Sequence, residues 1–286
     1  MKRTVAVIET KDLTYTYQES AKSSIRDVSI RIEQGEFVIL TGPSGCGKTT
    51  LCRCFNGLIP HFYNGTLHGA IEVAGLNVRE HQIHELALHV GFVFQNPENQ
   101  LFALSVEKDV AFALENLGTP REEMQKRVEQ ALKAVGAYEF RERAPHELSG
   151  GQQQRVAIAS VLAMQPEVMI LDEPTSFLDP SGAKKIFEVI ADLNKKFGIT
   201  VILVEHRLDL TAQYANHVVI MDKGAVILDG KPKDIFNMDE ARLIGVGIPK
   251  ATRLFQILKE DGIILKDAPI SSKEAAELIR SILVND

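Results

Sequence analysis

An unbroken apolar run, Phe37-Val38-Ile39-Leu40, feeds directly into Gly42-Pro43-Ser44-Gly45-Cys46-Gly47-Lys48-Thr49. A run without polar alternation suits a strand buried on both faces, and such strands belong to parallel sheets covered by helices. The octapeptide reads G-x-x-x-x-G-K-T. Its glycines let the chain turn sharply enough for successive backbone N–H groups to converge, and a helix opening at Lys48 adds the positive end of its dipole to the same point. Strand, anion cradle and helix in succession predict a phosphate-binding loop in an α/β domain. The bland alternative is a glycine-rich turn that binds nothing, and the register of strand, loop and helix weighs against it.

The same kind of run recurs at Val168 to Leu171, Val201 to Val204 and Val218 to Met221, which implies a mainly parallel core sheet. Residues 5 to 32 instead alternate in short pieces (Val5, Val7; Leu13, Tyr15, Tyr17; Val28, Ile30, Ile32), the pattern of antiparallel strands joined by turns. From about 97 to 160 the pattern is helical. Thr119, Pro120 and Glu122 supply an N-cap, an N1 proline and a capping-box acid for a helix through Val135 that Gly136 stops. Beyond residue 235, Pro249 and Pro269 flank short helices at about 250–260 and 272–284. Ser271 and Glu274 open the second, and Ala275, Ala276, Leu278, Ile279, Ile282 and Leu283 give it an apolar stripe. The expected division is a nucleotide-binding domain over 1–235, with its helical insert at about 97–160, and a helical C-terminal extension over 236–286.

Bulk properties narrow the partners. A net charge of −6 leaves no surplus to neutralise a phosphate backbone, so nucleic acid is not expected as a partner. Cys46, Cys52 and Cys54 lie within nine positions; they cannot form a distributed disulfide framework and read as small thiols in a reducing compartment, with metal ligation as the lesser alternative. Glu9 and Lys11 interrupt the start before a signal-like apolar stretch could form, and no apolar run approaches the roughly 18 residues of a membrane span. Any membrane role has to come through a partner.

Three segments carry chemistry. In the loop, Lys48 is placed to offer a point charge to β and γ phosphates, and the Thr49 hydroxyl, beside Thr50, suits Mg²⁺. Val168 to Leu171 ends in Asp172-Glu173, the Walker B pattern: one carboxylate for the metal shell, the next for the proton of an attacking water. Leu148-Ser149-Gly150-Gly151-Gln152 sets a serine and two glycines at a helix start, a second anion cradle in one chain. This last segment is identified as the signature of the ATP-binding cassette (ABC) ATPases, a family of P-loop NTPases, and the resemblance covers about residues 10 to 235.

The resemblance implies that ATP and Mg²⁺ are bound, and that the serine-glycine turn of one subunit, Ser149 to Gln152, closes over the γ-phosphate held by the other subunit's loop, Gly42 to Thr50. It implies further roles in chain order. Gln95 sits at the Q-loop position, reaching the metal and the lytic water. His206 matches the switch histidine, and Ser176-Phe177-Leu178-Asp179 the D-loop, with Asp179 crossing the dimer interface. Tyr17 is similar to the aromatic residue that stacks on adenine, with Tyr15 its rival. Lys48, Gln95, Glu173 and His206 would be the catalytic set, and Thr49, Gln95 and Asp172 the metal set. Phe177 is bulkier than the usual D-loop residue.

Around Gln95 the chain reads Phe94-Gln95-Asn96-Pro97-Glu98-Asn99-Gln100-Leu101-Phe102, which resembles the energy-coupling factor (ECF) importers and their cobalt-type relatives. That likeness implies a peripheral subunit on the cytoplasmic face. Its partners would be a second ATPase subunit (a copy or a paralogue), a transmembrane coupling subunit and a small substrate-capturing membrane protein. Vitamins or transition-metal ions are the implied cargo. A chromosome-organising ATPase would need a long coiled coil between Gln95 and Ser149, where only residues 96 to 147 lie without sustained heptads. A non-hydrolysing regulator would be expected to lack Glu173 or His206.

Overall fold

Every strand of the central sheet divides its side chains between two cores. Phe37 and Ile39, Met169 and Leu171, Val201 and Leu203, and Val218 and Ile220 join one cluster with the helical segments. Val38 and Leu40, Val168 and Ile170, Ile202 and Val204, and Val219 and Met221 join the other, with the antiparallel strands. Two-sided burial is the reason these runs show no polar alternation. The fold is that of a computed structural model, which describes residues 5–263 and 268–283, without the side chains of Ile282 and Leu283. Residues 1–4, 264–267 and 284–286, the ends and one stretch of the two expected domains, lie outside it, as do those two members of the expected apolar stripe.

In chain order the strands are β1 (Ala6–Tyr17), β2 (Ile25–Val28), β3 (Arg31–Glu33), β4 (Phe37–Thr41), β5 (Gly65–Val73), β6 (Leu76–Asn77), β7 (Val90–Val93), β8 (Val168–Asp172), β9 (Thr200–Val204), β10 (His217–Asp222) and β11 (Ala225–Gly230). The longer helices are α1 (Lys48–Phe55), α2 (Val106–Asn116), α3 (Arg121–Ala134), α4 (Gly150–Leu162), α5 (Pro180–Phe197), α6 (Lys250–Glu260) and α7 (Ser272–Leu283). The core sheet runs β11-β10-β4-β9-β8-β7; β10, β4, β9, β8 and β7 are parallel, and β11 closes the edge antiparallel to β10. A second, antiparallel sheet runs β2-β1-β5-β6, with β3 also on β1. Helix α1 packs between the two sheets through Leu51, Cys52, Cys54 and Phe55. Helices α2, α3 and α4 form the expected insert on the opposite side of the core sheet.

Two local expectations are corrected. Pro120 keeps an extended ψ of 140° and is itself the N-cap of α3, so Thr119 does not cap it and the helix starts at Arg121. The Thr119 N–H instead closes the preceding helix end on the Leu114 carbonyl. In α7 the apolar stripe is wider than the buried face: Ala275 is buried and Leu278 packs with it, while Ala276 and Ile279 are exposed. Its opening is as expected, with Ser271 Oγ accepting from the Glu274 N–H at 3.2 Å. Within the extension Thr252 Oγ1 donates to the Pro269 carbonyl and Gln256 Nε2 to the Phe236 carbonyl, and the Lys250 N–H on Asp209 ties it to the body.

One partly buried ion pair network, centred on buried His217, fastens β10 to its neighbours. His217 bonds Glu36 through Nδ1 and Asp229 through Nε2. Burial alone would lower the imidazole's affinity for a proton, but the two carboxylates outweigh it and hold the group up at about 9. A folded-state value above the unfolded one, near 6.5, contributes stability that is full below about pH 6.5 and is lost as pH rises through 9. Urea midpoints measured from pH 6 to 10 should therefore fall by the equivalent of roughly 2–3 kcal/mol. His217→Phe should flatten that slope, and an unchanged slope would show that the proton resides elsewhere.

Candidate active site

The phosphate-binding loop is shaped by what its glycines touch. At Gly42 φ is 147°, and a Cβ there would lie 2.1 Å from the Met221 carbonyl oxygen on β10. At Gly47 φ is 110°, and a Cβ would lie 2.5 Å from the Ser24 carbonyl oxygen, just before β2. The loop is thus held between the ends of two sheets, where only glycine fits. Lys48 opens α1 with 5% of its surface exposed, and its ammonium donates to the Gly42 and Pro43 carbonyls at 2.9 and 3.0 Å. It spans the mouth of its own loop. Ser44 and Gly45 are exposed, with their backbone available to an anion.

A cleft of about 880 Å³ opens at this loop, lined by Ser44, Gly45, Gly47, Lys48, Thr49, Thr50 and Glu173. Ser23, Arg26 and Lys223 also line it; the sequence reading missed these, because they come from the segment just before β2, from β2 itself and from the β10–β11 turn, apart from the loop in the chain. Arg26 is anchored by Nη2 to the Lys223 carbonyl at 2.7 Å. Ser149 to Gln152 are not among the residues lining this cleft.

Asp172 ends β8 facing α1. Burial pushes its carboxyl up, the Thr49 hydroxyl bonded to it pulls the other way, and the neighbouring Glu173 charge raises it further. A partly buried carboxylate beside a hydroxyl is the oxygen-donor set that suits a hard divalent cation. Glu173 has φ 48°, a left-handed conformation that costs a non-glycine residue about 1–2 kcal/mol. It is held there by its N–H on the Val204 carbonyl at 3.0 Å and by Ser176 Oγ on its own carbonyl at 3.1 Å. The result aims its side chain at the switch segment after β9. His206 Nε2 lies 3.3 Å from Glu173 Oε1, and Glu173 Oε2 accepts from Gln95 Nε2 and Ser176 Oγ, each at 3.1 Å.

Glu173, His206 and Gln95, separated by up to 111 positions (206 − 95) in the chain, therefore meet at one point. Ser176 joins them, unremarked in the sequence except as part of a four-residue loop. Gln95 is exposed, in a loop shaped by Asn96 Oδ1 on the Glu98 N–H and by Gln100, whose Oε1 takes the Phe94 N–H.

The two tyrosines separate cleanly. Tyr15 is fully buried, its hydroxyl donates to the Tyr63 and Asn64 carbonyls, and burial pushes it up to about 12. Tyr17 is partly exposed and its hydroxyl lies 3.3 Å from Thr50 Oγ1 and 3.2 Å from Arg53 Nη1. Of the pair, Tyr17 alone reaches the surface, next to the phosphate loop through Thr50, though it is not among the residues lining the cleft. The three cysteines are free and buried, with burial pushing each thiol up.

Ser149 is the N-cap of α4, and Gln152 Oε1 folds back to accept its N–H at 2.8 Å. Ser149 and Gly150 are exposed, on a surface where Gly150 lines a groove with Gln95 and Phe177. Asp179 caps α5 by accepting from the Gly182 N–H at 2.8 Å, and Phe177 beside it is 71% exposed.

The family model described as ABC transporter matches residues 25–176. This chain belongs to the ABC transporter family. It is an ATP-binding, ATP-hydrolysing cassette of that family. Among its relatives, the energy-coupling factor transporter ATP-binding protein EcfA1 of Clostridium perfringens is 43% identical over 263 residues, 90% of this chain and 92% of that one. Among solved structures, cbiO1 from Clostridium perfringens, part of the ABC transporter complex cbiONQ, superposes with a TM-score of 0.75 at 36% identity, over 88% of this chain and 99% of that one. A dimeric, post-hydrolysis structure of the ATP-binding cassette MJ0796, bound to ADP and Pi, gives 0.67 at 30% identity, over 79% and 98%. Among the described residues of this ABC cassette, no helix is long and apolar enough to cross a membrane.

Proposed function

We propose that this ABC cassette is the ATPase subunit of an ECF-type importer for a vitamin or a transition-metal ion, bound peripherally at the cytoplasmic face. The observation that carries the ATPase part is the meeting of Glu173, His206 and Gln95 beside the phosphate-loop cleft. Gly42 to Thr50 would hold the nucleotide phosphates, Tyr17 the adenine, and Thr49, Asp172 and Gln95 the Mg²⁺. Nucleotide and metal, when bound, supply a strained phosphoanhydride and the charge that offsets its negative oxygens. Glu173 then orients a water and holds its proton, His206 steadies that carboxylate and faces the terminal phosphate, and the Lys48 ammonium leaves its carbonyls for the phosphate oxygens.

Since the cleft lacks Ser149 to Gln152, the pocket is completed by a second ATPase subunit, copy or paralogue, with Asp179 and Phe177 along the seam. The test is a cysteine pair, Ser149→Cys on one protomer and Ser44→Cys on the other, in a Glu173→Gln background. Disulfide formation is expected with ATP and not without nucleotide; no crosslink under any nucleotide condition would sink the composite pocket. The resemblance of the Phe94 to Phe102 segment to EcfA1-type chains supports the importer class, as does the likeness to cbiO1.

Exposed Phe94, Phe102, Leu104, Phe112 and Leu117 give a transmembrane coupling subunit an apolar seat near Gln95, and through it a substrate-capturing membrane protein. The extension over 236–286 leaves Leu243, Leu254, Ile257 and Ile279 exposed, which suits a dimerisation element separate from the cassette over 1–235.

A further inference from the structure

The contact between His206 and Glu173 joins two segments, and both are fixed by residues that touch neither reacting group. Glu205 is 4% exposed. Its Oε2 accepts from Thr175 Oγ1 at 2.8 Å, and its Oε1 accepts from the His206 and Arg207 N–H groups at 2.8 and 3.0 Å. Thr175, fully buried, lies two residues beyond Glu173. From the other side, Arg207 donates through both Nη1 and Nη2 to the Leu178 carbonyl, each at 3.2 Å. The Leu178 N–H returns to the Thr175 carbonyl at 3.0 Å, and Asp179 follows as the cap of α5. Residues 205–207 are thereby bolted to residues 175–178 by one bond between side chains and two from Arg207 to a backbone carbonyl, while the two N–H bonds to Glu205 Oε1 fix the switch segment on itself.

The side-chain types make this clamp specific. A buried carboxylate accepting three donors makes charge-assisted bonds, and removing one leaves a desolvated oxygen unpaired. A guanidinium presents two N–H groups to one carbonyl in a fixed plane, which an ammonium cannot reproduce. Lengthening either link would let the switch segment shift against the Glu173 turn, and a displacement of about 1 Å at reacting groups can cost up to about 100-fold in rate.

We infer that Glu205 and Arg207 are positioning residues for ATP hydrolysis, holding His206 against Glu173 and tying both to the D-loop that faces the partner protomer. The inference rests on the reading of Glu173 and His206 as the reacting pair. Because the clamp ends at Leu178, next to Asp179, pressure on the D-loop from the second protomer reaches His206 through Arg207. ATP binding, which uses Gly42 to Thr50 and Tyr17, does not involve it.

The test uses the full chain assembled with its membrane partners, comparing Arg207→Ala, Arg207→Lys, Thr175→Val and the double variant Thr175→Val/Arg207→Ala with the wild type, Glu173→Gln and His206→Ala. Arg207→Ala should lower kcat about 10-fold to 100-fold, with KM for ATP and nucleotide binding within about twofold. Arg207→Lys should recover part of that loss through its single ammonium. Thr175→Val keeps the shape of the side chain and should also lower kcat. The double variant should lose less than the product of the single losses, as expected for two parts of one device.

Wild-type kcat in Arg207→Ala, or a loss that tracks nucleotide binding, unfolding or strict additivity, overturns the clamp. Should Glu173→Gln and His206→Ala turn over ATP at the wild-type rate, the reading of the reacting pair fails first. Loss in those two variants with none in Arg207→Ala removes the clamp alone.

Discussion

Glu173→Gln is expected to turn over ATP about 100-fold to 10,000-fold more slowly than the wild type, the range of a positioned general base, while binding nucleotide as tightly. The substitution keeps the size of the side chain and an oxygen for the Gln95 and Ser176 donors that Oε2 now accepts. It removes the charge, and with it the capacity to take a proton from water. Binding survives because the loop from Gly42 to Thr50 is shaped by β10, the Ser24 segment and the Lys48 bonds, none of which depends on residue 173. Steady-state turnover and equilibrium titration with labelled nucleotide check the two halves. Turnover at the wild-type rate would remove Glu173 from the reaction, and loss of binding would mean that the residue holds the nucleotide instead.

Gly42→Ala is expected to abolish measurable nucleotide binding and to lower stability by roughly 2–6 kcal/mol. That range adds the strain of a positive φ to the overpacking of a site without room, each roughly 1–3 kcal/mol. The contact cannot relax cheaply, since the atom met at 2.1 Å is a backbone oxygen of β10, a strand paired on both sides. Gly45→Ala is the control. It too has a positive φ, 74°, but no atom lies within 4 Å of the added Cβ, so it should lose only the conformational part, about 1–3 kcal/mol. Urea unfolding of both variants separates the two contributions. Equal losses would show that the approach to Met221 does not set the conformation of the loop.

Much of the site was legible because its parts are local in sequence. The phosphate loop and the Walker B carboxylates are short stretches at the ends of apolar strands, where backbone geometry alone fixes what the side chains can reach. The parallel sheet was legible for a related reason: β4, β8, β9 and β10 are buried on both faces, and their runs have no polar alternation. Strand β11, half-exposed at the sheet edge, carries no such signal. Strand β5 is exposed at most positions and is defined by its pairing with β1, a contact between residues 48 to 65 positions apart. The cap of α3 went astray because proline is compatible both with a first helical turn and with the extended residue before it, and only ψ, here 140°, distinguishes them.

What the amino-acid sequence determined by itself was the class of fold, the phosphate-loop motif and the family, because each of these is written in runs of a few residues. What only the tertiary structure decided was which of those residues meet. Tyr15 and Tyr17 share one face of β1, their rings 4.8 Å apart, and Tyr17 rather than Tyr15 reaches the surface because it ends the strand while Tyr15 sits inside the core. Ser176, Glu205 and Arg207 acquire their parts from β8 and β9 lying side by side, Leu171 opposite Leu203 and Asp172 opposite Val204. Parallel pairing brings the two loops that follow those strands to one edge of the sheet, and no pattern local to either loop records that the other is there.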